Sequence, residues 1–240
     1  FGGGGIMMSS VGFEAATDQT DRDGVTRFSP DDEEHFVDDL DFAPKITARY
    51  PLEDWKNNPL HESVTFFCHC TGNIQVRTEM TMPKIHFFVS TGGTGKRMYG
   101  ACLTLWEPYI ITAKTNKGKM ARKEAFLPKC LVLQSTYPYL MAFREFLTQL
   151  NRLSKMGEMT LPVERYIANF CAEIPAPPPG AFEVQTTILD SVIKIWSPPH
   201  NQPIAYVALP FSHLFECLDI DNIIMVWHCL TLERQVLLTS

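Results

Sequence analysis

The spacing of apolar side chains changes near the middle of the chain, and this change limits the fold more than any other feature. From Glu62 to Ser135, apolar residues alternate with polar ones or form short unbroken runs, which is typical of β-strands. From Tyr139 onward they recur at steps of three and four, which is typical of an amphipathic helix. The sequence therefore predicts strands first and packing helices after them.

Four strands are predicted before the first helix, over Glu62–Gly72, Lys84–Ser90, Met98–Trp106 and Leu127–Ser135. One helix is predicted over residues 139–155, and a second begins at Pro162 and ends before the proline-rich Ala176–Gly180. Beyond the prolines, the pattern predicts strands at Glu183–Leu189, Val192–Trp196 and 235–240, and a helix over Asp219–Arg234 capped by Asp219 or Asp221.

The first 46 residues look different from the rest of the chain. Residues 1–44 carry 11 acidic and 2 basic side chains, whereas the remainder is close to neutral. Because few apolar residues recur there, ordering this segment would cost more than burial returns. We expect a disordered acidic tail over residues 1–46. The alternative is a docking peptide anchored by Phe36, Val37, Leu40 and Phe42.

A glycine-rich stretch, Ser90–Gly100, resembles a phosphate-binding loop at first sight. A Walker loop requires a glycine five residues before Gly95, where Ser90 stands, and a hydroxyl after the lysine, where Arg97 stands. It also requires a following helix, yet residues from Met98 alternate as a strand. The sequence predicts a tight β-hairpin instead.

Cysteine and histidine cluster at Cys68-His69-Cys70, with His61 nearby. In the predicted strand the two thiols share one face and His69 points to the other, so the triplet cannot bind a metal ion as a unit. We therefore expect semi-buried thiols and no metal site. The seven scattered cysteines indicate reduced thiols and a cytoplasmic protein.

The segment Lys114–Lys123 is a basic run between two strands. It predicts a solvated loop or, as the alternative, peripheral contact with an anionic membrane. Nucleic acid is not an expected partner, because the part of the chain after the acidic segment is close to neutral.

No motif for covalent catalysis is present, since the sequence lacks GxSxG and HExxH. The Glu164-Arg165 and Glu233-Arg234 pairs are more typical of structural ion pairs than of acid–base catalysts. The sequence predicts no catalytic residue, no metal ion and no cofactor. Both ends of the chain have the character of cuts within a longer protein.

Five phrases in order resemble the DENN family of exchange factors for Rab-type small GTPases. They are "PLEDWKNNPLHESVTFFC", "RMYGACL", "LPKCLVLQSTYPYLMAFREFLTQL", "LPVERYIANFCAEIPAPPPG" and "LPFSHLFECLDIDNIIMVWHCLTLERQVLLTS". The positions that carry the family pattern are Pro51, Leu52, Trp55, Pro59, Pro128, Lys129, Pro138, Pro162, Glu164, Tyr166, Asn222, Glu233 and Arg234. Gln235 departs from the pattern, because the family has a basic residue there.

The resemblance implies an α/β fold with two lobes. The first, over residues 47–180, is the upstream DENN module, an α+β longin-like antiparallel sheet with packing helices. The second, over residues 181–240, is the truncated start of the α/β core DENN module. The implied function is exchange on a Rab-type GTPase, and the alternative is a longin-like adaptor that leaves nucleotide release unchanged. The predicted GTPase contacts lie on the first helix: Phe143, Arg144, Leu147, Asn151 and Arg152.

Overall fold

A computed structural model describes most of the chain. The described residues are 6–15, 26–28, 42–55, 59–69, 74, 76–92, 95–115, 120–157, 161–180, 182–197, 199, 211–232, 234 and 236; the side chains of 14, 15, 26–28, 111–115, 120–123 and 211 are excepted.

The centre of the fold is an antiparallel sheet whose strands are not in chain order. Its strands are β1 (Met7–Ala15), β2 (Thr26–Phe28), β3 (Phe42–Tyr50), β4 (Lys84–Thr91), β5 (Arg97–Thr115) and β6 (Met120–Ser135). The antiparallel order is β4-β5-β6-β1-β3, and the short β2 pairs in parallel with the far end of β5. The first strand therefore lies inside the sheet, between β6 and β3.

The prediction of a disordered tail is wrong where it covers β1, β2 and the start of β3. Met7 and Val11 are 2% and 0% exposed, and β1 forms ladders with β3 on one side and β6 on the other. The neighbouring strands pair the backbone N–H and C=O groups of a segment whose own residues show little strand pattern. Gly12 fits here because a Cβ would lie 2.8 Å from Cγ2 of Thr47. The proposed docking residues Phe36, Val37 and Leu40 lie outside the described residues, whereas Phe42 is buried in β3.

The glycine-rich stretch is a β-hairpin, as predicted. The Gly92 N–H donates to the Lys96 carbonyl at 3.0 Å, and the Gly95 N–H donates to the Gly92 carbonyl at 2.8 Å. Gly95 has a φ of 78°, in the left-handed region that glycine adopts without strain. Because the strand β5 follows rather than a helix, no helix N-terminus is present to hold a phosphate.

The first helix, α1 (Val64–Cys68), corrects the strand predicted over Glu62–Gly72. Val64 and Cys68 are buried while Phe66 is 68% exposed, which is the pattern of a helix at i and i+4. A five-residue apolar segment satisfies a period of two or of four about equally well. Packing against the sheet selects the helix, which buries Val64 and Cys68 and leaves Phe66 exposed, whereas a strand would place all three on one face.

Two further helices confirm the predicted change of period. Helix α2 (Leu140–Ser154) follows β6 directly, and α3 (Val163–Ala168) continues as a π-helical turn over Asn169–Glu173. The rings of Phe146 and Phe170 stack with centroids 4.0 Å apart, and Phe143 meets Phe170 edge to face at 6.4 Å. These aromatic contacts join the π-helical turn after α3 to α2.

The helices cover opposite faces of the sheet. α1 buries Cys102 of β5 and the pair Cys130 and Val132 of β6 in one apolar cluster. Since side chains alternate along a strand, Ala101 and Leu133 point to the other face. α2 also contacts β5 and β6, so its apolar stripe packs on that second face. This arrangement confirms the mixed α/β fold class and the longin-like α+β first lobe.

A two-stranded hairpin, β7 (Glu183–Ile188) and β8 (Ser191–Trp196), lies against α2 and confirms the two strands predicted there. The Tyr139 hydroxyl lies 2.9 Å from Oγ of Ser197, which donates to the Pro177 carbonyl at 3.0 Å. These bonds fix the proline-rich segment to the start of α2.

The chain forms two compact units, Phe1–Ala205 and Tyr206–Ser240. The second unit contains α4 (Phe211–Cys217) and α5 (Ile220–Thr231). The carboxylate of Asp219 accepts the Asn222 N–H at 2.8 Å, which confirms the predicted helix and its Asp219 cap. Most of the predicted strand at 235–240 lies outside the described residues. The predicted module boundaries, 47–180 and 181–240, remain predictions.

Candidate functional site

The outer face of α2 is the part of the predicted contact surface that a partner can reach. Arg144 and Arg152 are exposed and Asn151 is half-buried. Phe143 and Leu147 are 0% exposed, so these two cannot act as surface contacts, and that part of the prediction is corrected. They belong to the stripe that packs on the sheet. Sequence periodicity places all five residues on one helix, but it does not show which of them face solvent.

A hydrogen-bonded chain of side chains runs along α2. Buried Gln149 donates through Nε2 to Oε1 of Glu145 at 2.8 Å, and its Oε1 accepts from Nη1 of Arg152 at 3.1 Å. Arg152 is therefore oriented before any partner arrives. Among the described residues, the Arg144 guanidinium has neither a hydrogen bond nor an ion pair and is available to an acidic partner. These two arginines make this face of α2 locally basic.

Asp54 links the end of β3 to the residues that follow it. The Asp54 carboxylate pairs with Arg49 and accepts the Leu60 N–H at 3.1 Å. The Arg49 guanidinium, and then the Leu60 N–H, lower the pKa of Asp54 below its usual value. The peptide bond between Tyr50 and Pro51 is cis. The resulting loop presents Leu52, which is 83% exposed, as an apolar surface residue.

Three buried thiols converge beneath α1. The Sγ atoms of Cys68, Cys102 and Cys130 all lie within 4.8 Å of one another. His69 is 8% exposed, and its Nε2 lies 3.7 Å from Sγ of Cys130. The strand predicted from the sequence puts His69 on the face opposite to Cys68, and that placement is wrong. The helix instead brings Cys68 and His69 into one cluster, and no spacing in the sequence signals the two strand cysteines.

The thiols in this cluster differ in acidity. The neighbouring thiols of Cys102 and Cys68, and then the His69 imidazole, lower the pKa of Cys130. The Cys102 and Cys130 thiols, together with burial, raise the pKa of Cys68. By contrast, burial alone raises the pKa of the separate Cys171 to about 12.

Comparison with known proteins identifies the family. Residues 44–105 match the family model of the uDENN domain, and residues 126–240 match that of the DENN (AEX-3) domain. The chain belongs to the DENN family. It is 24% identical over 208 residues to the DENN domain and WD repeat-containing protein SCD1 of Arabidopsis thaliana. That alignment covers 83% of this chain and 17% of the relative, so the chain spans about a sixth of the relative's length. No solved structure matches the chain.

The DENN-pattern positions in the first unit lie within the β5–β6 ladder, just before helices and in the segment after β3. Pro128 lies opposite Trp106 in the β5–β6 ladder, and Nζ of Lys129 pairs with Oε1 of Glu107 at 3.0 Å. Pro138 precedes α2, and Pro162 occupies the cap position before α3. The half-buried Trp55 carries an indole N–H that is buried without a partner among the described residues.

The charged residues near α3 and α5 form contacts other than the Glu164-Arg165 and Glu233-Arg234 pairs that the sequence suggests. Arg165 pairs with Glu173 rather than with its neighbour Glu164, and Glu173 also accepts from Asn169 at 2.9 Å. Arg165, and then Asn169, lower the pKa of Glu173. Half-buried Tyr166 lies on the same helix. The backbone N–H of Arg234 donates to Cys229 after α5, whereas Glu233 lies outside the described residues.

Both ends of the basic run Lys114–Lys123 belong to strands, β5 up to Thr115 and β6 from Met120, so the predicted loop is shorter than the run. The side chains of the run lie outside the described residues. Helices long and apolar enough to span a bilayer do not occur among the described residues.

Proposed function

We propose that this chain is part of a guanine-nucleotide exchange factor that promotes GDP release from a Rab-type small GTPase. The observation that carries the proposal is the presence of the uDENN and DENN domain matches, in that order, in one chain. Members of this family are typically exchange factors for Rab proteins. The longin-like first lobe is the fold that such a module requires.

Exchange of this kind needs a shaped surface rather than reacting side chains. A GTPase holds GDP through its own phosphate loop, magnesium ion and switch segments. A partner that binds the empty GTPase more tightly than the GDP-bound form lowers the affinity for GDP by the same free energy. Each 1.4 kcal/mol of that preference changes the GDP affinity about tenfold.

The outer face of α2 is the proposed GTPase contact within the first lobe. Arg144 and Arg152 supply positive charge, and Arg152 is held in place through Gln149. Charges at the rim of an interface mainly set the association rate and its dependence on salt. Asn151 lies between the arginines on the same helix and completes the proposed contact.

Release of a fluorescent GDP analogue tests the proposal directly. The full-length protein and the 240-residue chain are each added to a panel of Rab proteins preloaded with the analogue. We expect the full-length protein to accelerate release from at least one Rab by tenfold or more. If it accelerates release from none of them, the proposed function is wrong.

Reversing the charge of both arginines tests the contact surface. We expect R144E/R152E to slow stimulated GDP release about tenfold and to weaken its dependence on salt, because the association rate loses electrostatic attraction. K84E is the matched control, since Lys84 is an exposed basic residue at the edge strand β4. Equal loss in K84E and R144E/R152E would reject α2 as the contact.

The proposed setting is cytoplasmic, with peripheral contact to an anionic membrane through Lys114–Lys123. The dense run of lysine and arginine supports the membrane contact. The scattered, unpaired pattern of the cysteines supports the cytoplasmic setting. Co-sedimentation with vesicles containing phosphatidylserine tests the membrane contact, and binding that persists after the run is changed to glutamine contradicts it.

A further inference from the structure

A buried group of metal-binding side chains lies on the face of the sheet opposite to the proposed GTPase contact. Cys68 ends α1, Cys102 lies in β5 and Cys130 lies in β6, with all three Sγ atoms within 4.8 Å of one another. Nε2 of His69 lies 3.7 Å from Sγ of Cys130. Three thiols and one imidazole are a complete ligand set for a tetrahedral structural zinc site.

We propose that Cys68, Cys102, Cys130 and His69 bind one Zn²⁺ ion, which fastens α1 to the central sheet. Tetrahedral geometry with ordinary zinc–sulfur and zinc–nitrogen bonds places neighbouring sulfurs about 3.8 Å apart and sulfur and nitrogen about 3.6 Å apart. The 3.7 Å separation of His69 Nε2 and Cys130 Sγ matches that geometry, whereas the imidazole lies more than 4.8 Å from at least one of the other two sulfurs and has to turn toward it on binding. The sulfurs need to close by at most about 1 Å, which side-chain rotation supplies.

The surroundings of the four side chains fit a closed site. Cys102 and Cys130 are 0% exposed, and the adjacent apolar cluster contains Val64 and Val132. Oγ1 of Thr104 lies 3.6 Å from Sγ of Cys130, where the hydroxyl can donate to a metal-bound thiolate. Such outer hydrogen bonds orient ligands and stabilise their charge. Four protein ligands leave no open position, so the site is structural.

Ordinary core packing explains the thiols but not the imidazole. A buried free cysteine behaves as a small apolar side chain, as Cys171 does elsewhere in the core. A histidine in the same cluster adds a polar group whose burial costs free energy unless it is paired. The weak contact with a thiol at 3.7 Å compensates little of that cost, whereas a bond to zinc would give the buried nitrogen a strong partner.

A zinc ion at this position would stabilise the short helix α1. α1 has five residues, too few for a helix to be stable without tertiary contacts. Two of the four ligands come from its C-terminal end, and the other two come from adjacent strands. Binding releases three thiol protons to solvent and leaves the site with one net negative charge, which the Thr104 hydroxyl helps to stabilise.

Metal content and cobalt substitution test the proposal on the 240-residue chain. After expression with added zinc and dialysis against metal-free buffer, elemental analysis is expected to give one Zn²⁺ per chain. Replacement by Co²⁺ is expected to produce thiolate-to-cobalt charge-transfer bands and tetrahedral ligand-field bands. C130S is expected to lose both signals, whereas C171S, the matched buried-cysteine control, keeps them.

A conservative variant covers the case in which C130S fails to fold. T104V keeps all four ligands, and we expect it to weaken Zn²⁺ affinity about 10- to 100-fold in a chelator competition. The wild-type chain should also melt at a lower temperature after chelator treatment and recover when Zn²⁺ is restored. Metal content near zero, equal metal content in wild type and C130S, or a disulfide among the three cysteines would each overturn the proposal. None of these readouts depends on GDP release, so the exchange function and the zinc site fail separately.

Discussion

Replacing Val11 by aspartate is expected to destabilise the first unit by at least about 4 kcal/mol, enough to unfold a marginally stable domain. Val11 is 0% exposed and packs in the cluster beneath α1. Its strand pairs with β3 and β6, so the carboxylate cannot reach solvent without breaking two ladders. Urea unfolding followed by circular dichroism measures the effect.

The matched control is V89D, the same change in β4 of the same sheet. Val89 is 49% exposed, so its aspartate remains hydrated and costs no more than about 1 kcal/mol, through strand propensity. If V11D were as stable as V89D, residues 7–15 would be a solvated tail and the central position of β1 would be wrong.

Replacing Phe146 by alanine is expected to cost about 4 kcal/mol. Phe146 is 2% exposed, and its ring stacks on Phe170 at 4.0 Å. The substitution removes the stacked contact between α2 and the π-helical turn after α3 and leaves a cavity in the core. The measurement is the change in free energy of unfolding, from the urea midpoint with an unchanged slope.

Met141 on the same helix provides the control for Phe146. It is 37% exposed and lies at the surface, so M141A leaves no closed cavity and should change stability by no more than about 1 kcal/mol. Equal effects of F146A and M141A would mean that the packing face of α2 is misassigned.

Local patterns predicted the elements whose signal is long or chemically specific. The repeat of Leu140, Phe143, Phe146 and Leu150 extends over several turns and predicted α2 to within a residue at each end. The glycines before Met98 predicted the hairpin because a positive φ is needed at Gly95.

Elements that depend on distant partners escaped prediction. β1 contains Ser9, Ser10 and Gly12 beside an acidic region, so its own residues argue for a solvated segment. Its stability comes from ladders to β3 and to β6, which begins at Met120. No local rule reports such pairing, and the same limit hid the convergence of Cys102 and Cys130 beneath α1.

The sequence predicted the helix that carries the proposed contact surface, but not which of its residues are exposed. Periodicity found the helix, but assigning its solvent face required the sheet on which Phe143 and Leu147 pack. The orientation of Arg152 through Gln149 could not be foreseen either, because Gln149 is polar and yet buried.

The most direct test of the central claim compares the affinity of the full-length protein for its Rab in the nucleotide-free and GDP-bound forms. An exchange factor must bind the nucleotide-free form more tightly, and we expect a difference of at least tenfold, or about 1.4 kcal/mol. Equal affinity for both forms would contradict exchange and would identify the protein as an adaptor.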